Sequence, residues 1–174
     1  MPKIIENVRE KLMTEARRQV MELGYSAMTI RSVAGACGVG VGTVYNYFSS
    51  KDMLVASFMV TDWQRCMAQM TECSARNAKP EEVLRCIYDV LKGFAEQYAG
   101  LFRDEGAAAS FATVLPERHK QLRSQFAQPL QSLCSKQNKA DPEFLAEFIA
   151  EAMLTWTLEG RSFEEISSIL LQLF

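Results

Sequence analysis

At 174 residues, 48% hydrophobic and 23% charged, the chain has the composition of a globular protein, with length for one domain or for a small domain joined to a larger one. No apolar run approaches the roughly eighteen residues that a membrane span needs. The opening Met1-Pro2-Lys3-Ile4-Ile5-Glu6 also lacks the basic and apolar blocks of a secretory signal, so a cytoplasmic location without membrane association is expected. Charge is unevenly spread: seven Lys/Arg against five Asp/Glu through residue 60, a net of +2, and twelve against sixteen beyond it, a net of −4. A basic start on an acidic body suits a protein that meets phosphates at one end.

The pattern is helical throughout, and an all-α fold of about nine helices is predicted. Ile5, Val8, Leu12, Ala16, Val20 and Leu23 recur three or four apart and mark a first helix that stops at Gly24. Thr29 is placed to cap a short second helix, Ile30–Cys37. Gly38-Val39-Gly40 then makes a turn into a third, Val41–Phe48. Ser49 or Ser50 caps a fourth that runs from Lys51 to about Cys73. Pro80-Glu81-Glu82 restarts the pattern, proline at the first helical position and carboxylates at the positive end of the dipole, as far as about Tyr98. Segments at Arg103–Thr113 and from Pro116 to about Lys136 follow, the latter with a kink or break expected at Pro129. Asp141-Pro142-Glu143 opens a helix to about Leu158, and Ser162-Phe163-Glu164-Glu165 is a capping box for the last one, ending at Phe174.

Five cysteines, an odd number without Cys-x-x-Cys spacing, suggest neither a disulfide framework nor a metal site. Ordinary packing is their expected role, although Cys66 and Cys73, seven apart, share a helix face. No acid/base pair, nucleophile constellation, phosphate loop or metal cluster is found, so neither enzymatic activity nor a cofactor is expected. His119, the single histidine, reads as a surface residue.

Segment 29–48 has the helix, glycine turn and helix of a helix-turn-helix, which presents its second helix to a DNA major groove. Winding 41–48 as a helix sets Val44 and Phe48 on one face, toward Val33 and Leu12. Val41, Gly42, Thr43, Asn46 and Tyr47 then face outward, with Tyr45 at the edge. Small, hydroxyl and amide side chains of this kind can approach base edges and donate to phosphate oxygens.

Residues 12–55 resemble the DNA-binding domain of the TetR (tetracycline-repressor) family. The likeness is carried by Gly24-Tyr25, Thr29-Ile30, Val33-Ala34 and the run Gly38-Val39-Gly40-Val41-Gly42-Thr43-Val44-Tyr45-Asn46-Tyr47-Phe48-Ser49-Ser50-Lys51. The resemblance implies a three-helix DNA-binding domain over 1–50 and a helical ligand-binding and dimerisation domain over 51–174. It usually denotes a repressor that binds a palindromic operator as a homodimer and is released by a small molecule. By position it implies groove and phosphate contacts from Gly42, Thr43, Tyr45, Asn46 and Tyr47, a phosphate-binding role for Lys51, and backbone proximity for Thr29 and Arg31. Tyr45 is equally readable as a packing residue, and Thr29 as only a cap.

Three features depart from the family pattern. Gly40 replaces the usual serine, Gly35 lies inside the second helix, and the exposed recognition surface has no Arg or Lys. Arginine–guanine pairing is therefore unavailable from that surface, and Arg31, Lys3, Arg9 and Lys11 are left to supply charge.

Beyond residue 75 no motif is found. Trp63, Met67, Phe94, Tyr98, Phe102 and Phe111 are candidates for lining an apolar chamber for an unidentified effector, although such residues also fill cores. Phe148, Ala152 and Trp156, with Ile166, Ile169, Leu170 and Leu173, offer more apolar surface than one small body hides. Pairing with a second copy is expected, and the resemblance implies the same four-helix interface. A ligand-responsive DNA-binding regulator is the resulting expectation; a thiol redox sensor on the same scaffold, using Cys66 and Cys73, is the alternative.

Overall fold

Capping and apolar spacing set where each helix of this chain begins and ends. The computed structural model describes residues 7–76, 78–111, 115–136 and 141–174, with backbone alone at 111 and 115–119. Lys3 and the side chains of Phe111 and His119 therefore lie outside the described residues. These residues form nine α-helices and no strand: α1 Val8–Leu23, α2 Ile30–Cys37, α3 Val41–Tyr47, α4 Lys51–Ala75, α5 Pro80–Arg103, α6 Glu105–Phe111, α7 Leu115–Lys136, α8 Pro142–Leu158 and α9 Phe163–Leu170. A 3-10 turn, Leu171–Leu173, ends the last of them.

The helix ends have identifiable causes. α1 stops at Gly24, whose φ of 89° is costly for any residue with a Cβ. α2 begins at a reciprocal capping box, the Thr29 side chain accepting from the Ser32 N–H and the Ser32 hydroxyl from the Thr29 N–H. It ends at Gly38 in the left-handed region, whose N–H returns to the Ala34 and Gly35 carbonyls. Ser50 caps α4 through the Met53 N–H, Asp141 caps α8, and Ser162 with Glu165 forms the capping box of α9. α5 runs on past Tyr98 to Arg103, because buried Tyr98 and Leu101 hold the extra turn in spite of Gly100. α7 is continuous through Pro129, so of the kink or break expected there the break does not occur. Pro129 is buried where α7 packs on α8, and that packing outweighs one missing helical hydrogen bond.

The chain divides into two compact units, neither continuous in sequence. The first draws on Met1–Asp62 and Gln97–Thr113, the second on Trp63–Glu96 and Val114–Phe174. In the first, α1, α2 and α3 close over Leu12, Ala16, Val33, Ala34, Val44 and Phe48, all buried. In the second, α7 and α8 pack on each other, and the core includes Met70, Leu84, Ile87, Phe126, Ile149 and Met153.

One departure from the cysteine reading belongs here: Cys73 and Cys86 form a disulfide, with Cα atoms 5.9 Å apart, within the second unit. Cys86 was beyond any motif spacing because the partners sit on different helices, α4 and α5. Cys37, Cys66 and Cys134 remain thiols.

Gly35 is exposed within α2, and a Cβ there would meet nothing within 4 Å. Gly35→Ala should therefore raise the unfolding free energy by about 0.5–1 kcal/mol, read as a higher urea midpoint with unchanged slope. An unchanged or lower midpoint would contradict this.

Candidate nucleic-acid interface

α3 has seven residues and, with Gly40 as its N-cap, no side-chain capping bond. What holds it is burial on one side. Val44 is 0% and Phe48 3% exposed, four residues apart on the inner face. The outer face follows from the same winding: Tyr45 is 52% and Tyr47 47% exposed, Gly42 and Asn46 are exposed, and Thr43 is half-buried. Val41 is exposed at the start of the helix. Arg31 and Thr29 are exposed on α2 and its cap, with the Thr29 hydroxyl already engaged by Ser32. Arg9 of α1 lies over the outer part of this anchor, its guanidinium carbon 5.4 Å from the Phe48 ring centroid. A cation is thereby fixed beside a helix that has none of its own.

Lys51, at the start of α4, is half-buried rather than free in solvent. Its Nζ donates to the Tyr25 carbonyl oxygen at 2.5 Å and sits 4.0 Å from the Tyr25 ring centroid. Burial lowers its pKa, opposed by Asp104 and Asp52 nearby. One N–H of the ammonium is thus committed to the α1–α2 turn. The Tyr25 hydroxyl donates to Asp52 and lies 3.1 Å from the Ser110 hydroxyl. Its pKa is pushed up, first by burial and then by the Asp52 bond.

Asp104 completes this junction. Its carboxylate accepts from the Ser26 N–H at 3.1 Å and the Ser26 hydroxyl at 2.9 Å, and caps α6 through the Ala107 N–H at 3.1 Å. Gly106 leaves the necessary room: a Cβ there would stand 2.9 Å from the Ser26 hydroxyl oxygen. A second polar node lies on α4. Buried Asp62 accepts from the Tyr98 hydroxyl at 2.5 Å and the Gln97 amide at 3.0 Å, and pairs with Arg17 of α1 at 2.9 Å. Burial first, then Asp62, pushes the Tyr98 phenol well above its ordinary pKa.

Neither node was identified from the sequence. Asp62 had left a signal, a single carboxylate in the otherwise uncharged run Val55–Trp63. Asp104 gave none, because its partner Ser26 is 78 residues away.

The residues expected to line a chamber are divided between the two units. Trp63, Met67 and Phe94 belong to the second unit, where the Trp63 and Phe94 rings meet edge-on at 5.4 Å and the Trp63 indole N–H donates to Gln125. Tyr98 and Phe102 belong to the first, Tyr98 fully buried and Phe102 47% exposed. Of the residues expected at a dimer face, Phe148 and Ile169 are about half exposed, and Ala152, Trp156 and Leu173 are half-buried. Ile166 and Leu170, each 1% exposed, are turned into their own protomer's core, because α9 places them on its inner face. They are not available to a partner.

Residues 12–58 match the family described as bacterial regulatory proteins, tetR family. The HTH-type transcriptional regulator UidR of Escherichia coli K12 is 27% identical over 64 residues, 37% of this chain and 33% of that protein. The chain thus spans about a third of the length of the curated relatives it matches. Among solved structures, a putative transcriptional regulator from Rhodococcus sp. RHA1 is similar at a TM-score of 0.68, with 16% identity over 94% of this chain and 92% of that one. Thermus thermophilus FadR, a TetR-family repressor in complex with lauroyl-CoA, is similar at 0.61, with 22% identity over 95% and 92%. At these identities the structures share the fold.

The Ala107 N–H, followed by the Ser26 bonds, holds the Asp104 carboxyl below its ordinary range, so the fold favours the ionised form. Its contribution to stability is complete above about pH 5 and is lost as the pH falls through about 4 and below. In urea denaturation, wild type and Asp104→Ala should differ most near neutrality and converge toward low pH. A gap independent of pH would contradict the ionised grip on Ser26.

Proposed function

We propose that the chain is a TetR-family bacterial regulatory protein, a ligand-responsive transcription regulator that binds a palindromic operator as a homodimer, a reading supported by the match of residues 12–58 to that family. The observation that carries this reading is the two-sidedness of α3: Val44 and Phe48 are buried while Thr43, Tyr45, Asn46 and Tyr47 remain accessible. Residues 1–50 act as the DNA-binding domain, and 51–174 bind the effector and the second copy. Asn46 and Thr43 meet base edges, the hydroxyls of Tyr45 and Tyr47 meet phosphates, and Arg9 and Arg31 add charge. Lys51 offers phosphate the N–H groups that Tyr25 leaves over, at the positive end of α4. Sequence preference rests on amide and hydroxyl contacts and on DNA shape, because no guanidinium projects from α3.

Phe144, Phe148, Leu158 and Ile169 keep large apolar side chains exposed on α8 and α9, which supports pairing of these helices with a second copy. The effector is a small molecule held by Trp63, Met67 and Phe94, with Gln125 as a polar contact. α4, a single helix of 25 residues and so about 37 Å long, connects that region to Lys51. Effector binding would favour a dimer geometry in which the two recognition helices no longer fit successive grooves, releasing the operator and relieving repression. The protein would act in the cytoplasm, where its DNA is.

Selection from a random duplex library should return an inverted repeat, bound more weakly as salt rises. Tyr47→Ala should weaken that complex about tenfold, and Lys51→Gln should also reduce the salt slope by about 1. Full affinity in both variants would overturn this placement of the contacts. Sedimentation should give twice the 19.6 kDa chain mass, and Phe148→Glu with Ile169→Glu should leave a helical monomer. A persistent dimer in that double variant would exclude this face.

A further inference from the structure

We propose that Cys73 and Cys86 are a reversible dithiol–disulfide site that exchanges with low-molecular-weight thiols through the Cys86 sulfur. The pair joins the last turn of α4 to the second turn of α5, 13 residues apart in sequence and within ordinary bridging distance at the Cα atoms. The two ends differ in access. Cys73 is 2% exposed in the core of the second unit, whereas Cys86 is only half-buried at its margin. A small thiol therefore reaches one sulfur and not the other.

Compartment supplies the second argument, and it rests on the regulator reading above. A protein that works on chromosomal DNA is bathed in reducing thiols, where lasting structural disulfides are rare and those that form are redox-active. Two of the three remaining thiols are poorly placed to compete. Cys37 belongs to the other unit, and burial pushes its thiol pKa up; Cys134 is fully buried.

The step balances without any further reagent. A small-molecule thiolate attacks the Cys86 sulfur, forming a mixed disulfide as the Cys73–Cys86 bond breaks, and the departing electron pair stays on the Cys73 sulfur, which takes a proton. A second thiolate attacks the small-molecule sulfur of the mixed disulfide, releasing the Cys86 thiol and a small-molecule disulfide. Two small thiols are oxidised and the protein bond is reduced by two electrons. In reverse, Cys86 thiolate attacks the small-molecule disulfide, and Cys73 displaces the attached group because the two helices hold it in reach. Oxidation ties α4 to α5, and reduction releases them.

The test equilibrates the full chain in defined ratios of reduced and oxidised glutathione, traps thiols with an alkylating agent and locates them by peptide mass. Cys73 and Cys86 should pass together from disulfide to thiols and back, with Cys37, Cys66 and Cys134 alkylated after unfolding in both states. Cys73→Ala, lacking the resolving thiol, should accumulate glutathione on Cys86. The oxidised wild type should melt several degrees above the reduced form, a difference that Cys86→Ser abolishes. A disulfide that survives excess reduced glutathione, one that never forms in excess oxidised glutathione, or a Cys86 that takes up no glutathione in the Cys73→Ala variant would overturn the proposal. The assay contains no DNA, so a chain that cycles its thiols but selects no operator would uphold the exchange site and sink the regulator reading alone.

Discussion

A seven-residue helix without a side-chain cap has too few hydrogen bonds to persist in water, so α3 exists only because Val44 and Phe48 are pressed into the first unit. Burying two such side chains is worth about 1.5–3 kcal/mol each, comparable to what so short a helix lacks on its own. The same burial decides its outer face. With the inner positions occupied, Thr43, Tyr45, Asn46 and Tyr47 have nowhere to turn except outward. Exposure of the outer face and stability of the helix are thus one constraint, and substitutions at the anchor would damage both together.

Around that anchor, the first unit is held by polar junctions as much as by apolar burial. Asp104 grips Ser26 and caps α6 with the same carboxylate, while Asp62 gathers Arg17, Gln97 and Tyr98. Both join residues near the start of the chain to residues near its middle, which is why the compact unit is not continuous in sequence. The Asp62 group tolerates little rearrangement, since its buried carboxylate, on losing one donor, would be an expensive orphan. Lys51 and Tyr25 lie inside this arrangement, so the lysine expected to meet a phosphate is also a brace for the turn that precedes α2. The second unit relies on its apolar core, supplemented by the Cys73–Cys86 bond.

Local signals carried well from sequence to structure. The Thr29 cap, the Gly24 and Gly38 stops, proline starting α5 and the Ser162–Glu165 box are each written within four residues of where they act, and the helix boundaries followed them. The two-sidedness of α3 was equally legible, because helical winding alone separates Val44 and Phe48 from Thr43 and Asn46. Long-range partners were not. Ser26 with Asp104, Asp62 with Tyr98 and Cys73 with Cys86 depend on which helices pack together, which periodicity does not state. Periodicity also cannot tell which side of an apolar helix a protomer keeps for itself. Ile166 and Leu170 proved to be core while Ile169 beside them stayed open.

The central claim, that the outer face of α3 lies against nucleobases, is tested most directly by proximity. A photoreactive amino acid at Asn46, compared with the same residue at Glu147 on α8, should on irradiation link covalently to bases of a selected duplex only from position 46. Equal capture from both positions, or none from 46 while the duplex stays bound, would contradict the account.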